Sequence, residues 1–125
     1  MSDLQCAATF VLVPATTALG SLPDVRPVAL HAAPGAQEAA GAVAERLGLP
    51  VRTLRAATPG ELVAALDELA DEYRGERVAV LAPGELLAAL ARLVLPEGAD
   101  ALVVEVDADG HRWARWPDVT RATGR

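Results

Sequence analysis

Apolar positions along the chain follow two patterns that are typical of different elements. Short continuous apolar runs are typical of buried strands, which are apolar on both faces. Longer segments with apolar residues every three or four positions are typical of helices that bury one face. The predicted strands are 7–13, 28–31, 51–54, 78–81, 101–106 and 111–116. The predicted helices are 35–47, 58–73 and 84–95.

The order of these elements predicts a single α/β domain over residues 1–125. Strands that alternate with helices are typical of a mainly parallel sheet flanked by helices. The segment Asp107–Gly110 between the last two strands is a hairpin signal, so an antiparallel β-hairpin is expected at the C-terminal edge of the sheet. A generic doubly wound domain, such as a receiver-like fold, is an alternative, although the acidic cluster and lysine of receivers are not seen.

Pro-Gly pairs stand at three junctions where a predicted strand gives way to a helix. They are Pro34-Gly35, Pro59-Gly60 and Pro83-Gly84. Such junctions are where open α/β domains usually build their sites. Here they carry no nucleophile, no base and no cationic phosphate clamp. Thr58, with Glu61 three residues later, is a predicted helix N-cap.

Composition excludes several classes of function. The 125 residues carry a net charge of −6, which argues against a nucleic-acid partner. No apolar run is long enough to span a bilayer, and no basic region precedes the first apolar stretch. We therefore expect a soluble cytoplasmic protein with no membrane partner and no cofactor. The single cysteine, Cys6, permits no internal disulfide, and the absence of Lys, Asn and Ile indicates a high-GC bacterial genome.

Three segments of the chain carry a family resemblance. They are 12–17 after the first strand, 30–48 across the second strand and first helix, and 78–86 across the fourth strand and the start of the third helix. Together with the order of elements and the closing hairpin, they resemble the histidine phosphatase (phosphoglycerate mutase-like) superfamily. The resemblance implies that fold, and phosphoryl transfer to a histidine at the end of the first strand.

The positions that would carry this chemistry all depart from the family pattern. Pro14 stands for the arginine of the first motif, Ala15 for the nucleophilic histidine and Thr16 for the glycine. Pro83 stands for the second catalytic histidine, and small residues near Gly35 replace a phosphate-binding arginine. Phosphoryl transfer through histidine needs the imidazole and cations that neutralise the phosphate oxygens. We therefore expect no catalytic residues and no phosphatase or mutase activity.

The leading hypothesis is a degenerate, truncated phosphatase-like domain, a pseudoenzyme, that acts by protein–protein interaction or self-association. The family's first long helix is absent between the first two strands, so one face of the sheet is expected to expose apolar surface and to favour a homodimer. The alternative is a small-molecule-binding protein, or an enzyme of different chemistry, with a pocket at the C-terminal ends of the strands.

Five residues are candidates for lining that pocket. Thr16 and Thr17 offer hydroxyl groups, and His31 lies at the end of the second strand. The backbone N–H groups of Gly84 and Glu85 open a helix, where anions bind, although the Glu85 carboxylate opposes an anion. Each candidate also has a structural interpretation: turn formation for the threonines, a structural histidine, and a first-turn acid favoured by the helix dipole.

Other chemistry-bearing residues are interpreted as structural. The acidic residues of the second helix are a solvated surface, so no metal site is expected. His111, beside the hairpin turn, is expected to be solvated. Trp113 and Trp116 lie three apart in a strand and so face opposite sides, which makes one of them a candidate contact for a partner.

Overall fold

The computed structural model describes residues 7–14 and 26–116. Within them, six strands form one sheet; the first two helices connect parallel strands, and the third leads from the fourth strand to the antiparallel fifth. The strands are β1 Ala8–Pro14, β2 Ala29–Ala32, β3 Val51–Thr53, β4 Arg77–Ala82, β5 Leu102–Asp107 and β6 Gly110–Arg115. The helices are α1 Gln37–Leu47, α2 Pro59–Glu72 and α3 Gly84–Val94.

The sheet has the strand order β3-β2-β4-β1-β5-β6. The first four strands in that order are mutually parallel, while β5 runs antiparallel to β1 and β6 antiparallel to β5. Val11 at the centre of β1 lies between Ala79 of β4 and Val103 of β5. The predicted fold class, a mainly parallel sheet with an antiparallel hairpin at its edge, is confirmed.

Helices α2 and α3 cover one face of the sheet. They bury Leu62 and Leu66 of α2, and Leu87 of α3, against Phe10 and Leu12 of β1. Alternation along β1 places these two strand residues on one face and their neighbours on the other. Each leucine or phenylalanine that is fully withdrawn from water contributes about 1.5 to 3 kcal/mol, so this layer is the main source of stability.

The opposite face is packed by α1 and by the end of the hairpin. Ala40 and Val43 of α1 belong to the cluster on this face, and their small side chains allow a close approach. The expectation of an exposed apolar sheet face is wrong for the described strands, because Val11 is only 3% exposed. Val103 and Trp116 pack against the same cluster, so the hairpin helps to cover the centre of the sheet.

Local signals fix where the helices begin and end. The Thr58 hydroxyl accepts a hydrogen bond from the Glu61 N–H at 3.2 Å, and the Glu61 carboxylate accepts one from the Ala57 N–H at 2.9 Å. The predicted N-cap at Thr58 is therefore confirmed. Helix α1 begins at Gln37 rather than at the predicted Gly35, because Gly35 adopts a left-handed φ of 91° in the turn before it. None of the helices in the described ranges is long and apolar enough to cross a membrane.

Candidate functional site

The C-terminal ends of the four parallel strands meet along one edge of the sheet, where folds of this class bind ligands. Strand β1 ends at Pro14, β2 at Ala32 and β4 at Ala82. Ala32 and Ala82 are fully buried, and Pro14 is half-buried. The last residues of these three strands therefore carry only hydrocarbon side chains.

The loops after β2 and β4 pack directly against each other. A Cβ atom at Gly35 would lie 3.1 Å from Cγ of Pro83, which leaves no room for a ligand between the two. The Ala33 N–H donates to the Leu81 carbonyl at 2.9 Å and continues the pairing of the two strands into this loop. At this point the crevice is filled by protein.

Gly84 and Glu85 form the start of α3, beside this contact. Both are exposed, and the Pro83 carbonyl accepts the N–H groups of Leu86 and Leu87. The Glu85 carboxylate lies in the first turn, where the helix dipole stabilises negative charge. Ligand binding by Gly84 and Glu85 stays a prediction. Thr16 and Thr17 lie outside the described residues, so their part in a pocket also stays a prediction.

His31 lies in the third of the four positions of β2 and faces helix α2. The residue is 3% exposed, and its ring Nε2 lies 3.4 Å from the Tyr73 hydroxyl, with the two rings edge to face. Tyr73 is the C-cap of α2. The sequence left His31 either as a candidate for lining a pocket or as a structural histidine. The structure places its ring against Tyr73 at the end of α2, and ligand binding by His31 stays a prediction.

Two further side chains complete the polar cluster around His31. One guanidinium nitrogen of Arg52, on β3, donates to the Tyr73 hydroxyl at 3.0 Å and to the Glu72 carboxylate at 3.1 Å. One sequence feature indicated this cluster: Arg52 is the single charged residue in the predicted strand 51–54. Tyr73 itself matched the buried face of α2, so its hydroxyl gave no separate signal.

The environment of His31 favours the neutral imidazole. Burial lowers the pKa of His31, the positive charge of Arg52 lowers it further, and Glu72 acts in the opposite direction. Among residues 7–14 and 26–116, its Nδ1 is buried without a hydrogen-bond partner. A buried polar atom without a partner is costly, and it is a frequent mark of a strained or functional position.

The second histidine is on β6, the edge strand on the other side of the sheet from β3. His111 lies in β6, and its Nε2 is 2.6 Å from an Asp67 carboxylate oxygen on α2. Its ring also lies at a tilt beside Trp113, with the ring centroids 6.1 Å apart. Thus His111 is exposed as expected but joins the hairpin to α2 rather than being fully solvated.

The two tryptophans lie on opposite faces of the sheet, as their spacing predicted. Trp113 packs against the cluster under α2 and α3, and Trp116 against the cluster under α1. Both are half-buried. Within residues 7–14 and 26–116, no three His, Cys, Asp or Glu side chains are grouped so that they could hold a metal ion.

Solved structures share this architecture. The mycobacterial glucosyl-3-phosphoglycerate phosphatase aligns with a TM-score of 0.58 and 15% identity, over 87% of this chain and 96% of its own. A protein described as mycobacterial hydrolase 2 aligns with a TM-score of 0.60 and 15% identity, over 96% of this chain and 97% of its own. The fold is histidine phosphatase-like. No protein-family model matches the sequence, and no curated protein matches it.

The residues at the strand ends can be compared with those that the family resemblance assigns to the same positions. The family resemblance assigns histidines to the ends of β1 and β4, and an arginine to the turn before α1. Ala15, at the position of the first histidine, lies outside the described residues; Pro14 stands at the position of the arginine before it, Pro83 at the position of the second histidine, and the turn before α1 carries Gly35. Gly35 and Pro83 therefore contact each other where the resemblance places the phosphate-binding arginine and the second catalytic histidine.

Proposed function

We propose that this protein is a catalytically inactive histidine phosphatase-like domain that acts by binding another protein or a second copy of itself. The supporting observation is where its imidazoles lie. The chain has two histidines. His31 contacts Tyr73 within the α2 layer, and His111 pairs with Asp67 on α2, whereas prolines stand at or just after the ends of β1 and β4.

The prolines at the strand ends lack the groups that phosphoryl transfer needs. The reaction through histidine needs a nucleophilic nitrogen in line with the phosphorus and positive groups on the phosphate oxygens. A proline side chain offers neither charge nor a hydrogen-bond donor. Loss of a single stabilising donor from an active site already costs about 10²- to 10³-fold in rate, and here several groups are replaced together.

A hydrolysis assay tests the inactivity. The purified protein is incubated with p-nitrophenyl phosphate, 3-phosphoglycerate and a glucosyl phosphate, with an active histidine phosphatase as the positive control. We expect a rate equal to that of buffer alone. Hydrolysis that the chain supports, and that falls in a Pro83→Ala or Pro14→Ala variant, would overturn the proposal. Activity that is unchanged in both variants marks a contaminating phosphatase.

The binding part of the proposal is supported by apolar side chains left in water. Within residues 7–14 and 26–116, Leu93 is 74% exposed, Val28 is 48% exposed and Val51 is 36% exposed. Since the faces of the described sheet are covered, an interface built from residues 7–14 and 26–116 would use the outer surfaces that carry such residues. Light scattering coupled to gel filtration, up to high micromolar concentration, measures self-association directly. A clean monomer at that concentration would leave another protein as the partner.

A thermal-shift screen distinguishes the alternative, a small-molecule-binding protein. A ligand that binds only the folded state raises the melting temperature with its concentration. Phosphate, phosphorylated metabolites and common cofactors are the compounds to screen. A saturable shift would favour a surviving pocket at the strand ends, whereas the Gly35–Pro83 contact predicts none. The expected cytoplasmic location and high-GC bacterial origin remain predictions.

A further inference from the structure

A polar cluster joins β2, β3 and the end of α2 on the flank of the sheet. It consists of His31, Arg52, Glu72 and Tyr73, and it is distinct from the strand-end crevice. The Tyr73 hydroxyl is its centre, because both the His31 ring and the Arg52 guanidinium contact it. Tyr73 is also the residue that ends α2. The cluster therefore attaches the last turn of this helix to two strands.

We propose that these four residues form an acid-sensitive latch, in which protonation of the His31 imidazole releases the last turn of α2 from β2 and β3. A neutral imidazole forms one hydrogen bond within the cluster, between its Nε2 and the Tyr73 hydroxyl. In one tautomer the Nε2–H donates to the Tyr73 oxygen, and in the other Nε2 accepts from the Tyr73 hydroxyl; in both, Nδ1 has no partner among the described residues.

Protonation of His31 by solvent changes the hydrogen bonds that its ring can form. The imidazolium carries N–H groups on both nitrogens, and the buried Nδ1–H has no acceptor. The Nε2–H must then donate to the Tyr73 oxygen, which already accepts from Arg52. Two positive groups would share one neutral oxygen. A buried charge that lacks its hydrogen bonds is strongly unfavourable, so the charged ring favours exposure to water.

The charged groups around His31 are the guanidinium of Arg52 on β3 and the carboxylate of Glu72 on α2; its register partner on β4, Val80, is apolar. Burial and Arg52 lower the pKa of His31 in the closed state, and Glu72 offsets part of this. A group with a lowered pKa stabilises the closed state at pH values above its ordinary pKa, and that stability is lost as the pH falls. The latch is therefore closed at neutral pH and opens in acid.

The last turn of α2 is expected to open before the rest of the helix, because Leu66 and Leu62 upstream are fully buried in the core, whereas Glu72 is half-exposed. Tyr73 is 8% exposed, its backbone N–H donates to the Leu69 carbonyl, and its own carbonyl accepts the Glu76 N–H at 3.0 Å. Opening of the latch therefore exposes the Tyr73 side chain as well as breaking its bonds to His31 and Arg52. Helix ends open at a lower free-energy cost than the whole domain.

Hydrogen exchange and NMR test the latch, in a His111→Asn background that leaves His31 as the chain's only histidine. If the closed state takes up no proton and the opened state has an ordinary histidine pKa of about 6.5, opening increases about 25-fold between pH 7 and pH 5. We expect the rate-corrected protection of the Tyr73 amide to fall by up to that factor, while the amides of β4 keep theirs. The His31 ring should titrate below its ordinary pKa.

Adding His31→Gln supplies a side chain that stays neutral, and the protection of the Tyr73 amide should then be independent of pH. Equal acid sensitivity in this variant, or equal loss of protection at β4, would overturn the latch. If the glutamine variant does not fold, the ring titration in the His111→Asn protein decides alone. A His31 pKa at or above its ordinary value contradicts the proposal, and a lowered one with selective opening at Tyr73 supports it.

Discussion

The contact between Gly35 and Pro83 gives the sharpest test of the closed crevice. Replacing Gly35 by alanine has two separate costs. Its φ of 91° lies in the left-handed region, where a Cβ atom costs about 1 to 2 kcal/mol. The added Cβ would also lie 3.1 Å from Cγ of Pro83, and crowding in a packed region costs about 1 to 3 kcal/mol.

Gly48 is the matched control for the backbone part. It ends α1 with a φ of 72°, and a Cβ there would meet no atom within 4 Å. Gly48→Ala is therefore expected to cost only about 1 to 2 kcal/mol of left-handed strain. We expect Gly35→Ala to lower the free energy of unfolding by at least about 1 kcal/mol more than the control does.

Urea unfolding measures these differences in the free energy of unfolding, with tryptophan fluorescence and far-ultraviolet circular dichroism as the signals. The dependence of that free energy on urea concentration should be the same in all variants, which checks that the unfolded state is unchanged. The double variant Gly35→Ala with Pro83→Ala removes the opposing Cγ, so its cost should fall short of the sum of the single costs by about 0.5 kcal/mol or more. Equal costs at Gly35 and Gly48, with additive behaviour in the double variant, would refute the packing. The crevice would then be open, which favours a small-molecule site.

Two further predictions concern stability. Thr58→Ala removes the oxygen that accepts the Glu61 N–H and should cost about 1 kcal/mol, whereas Thr58→Ser keeps that oxygen and should cost much less; equal losses in urea unfolding would exclude the cap. Leu66→Ala empties a fully buried position and should cost about 2 to 5 kcal/mol, whereas Leu93→Ala, at 74% exposure, should change stability by about 0.5 kcal/mol or less; similar losses would contradict the assignment of α2's buried face.

Sequence reasoning succeeded where short-range rules decide the structure. The apolar run of β4 had one plausible conformation, and Thr58 with Pro59 marked the start of α2 within the chain itself. The Asp107–Gly110 turn likewise predicted the β5–β6 hairpin, although β6 begins at Gly110. Each of these signals depends on residues a few positions apart, so no knowledge of the tertiary structure was needed.

It failed where two distant segments meet. Gly35 was assigned to a helix, but its contact with Pro83 and its left-handed backbone place it in a turn. The covered sheet face was also missed, because it depends on how the hairpin brings Trp116 over strands that come much earlier in the chain. Nothing in the strand of His31 indicates that Tyr73, 42 residues later, lies against its ring, so the contact between them was not predicted.

The strand ends and the polar cluster around Tyr73 carry different kinds of side chains. Active sites keep reactive side chains at strand ends at some cost to stability. Here the same places hold Ala32, Ala82 and Pro83, whose side chains carry no polar group. The one described imidazole that is buried, that of His31, lies on β2 against the Tyr73 ring at the end of α2. If both proposals hold, acid should alter the α2 end, and any partner bound there, without altering the strand-end crevice.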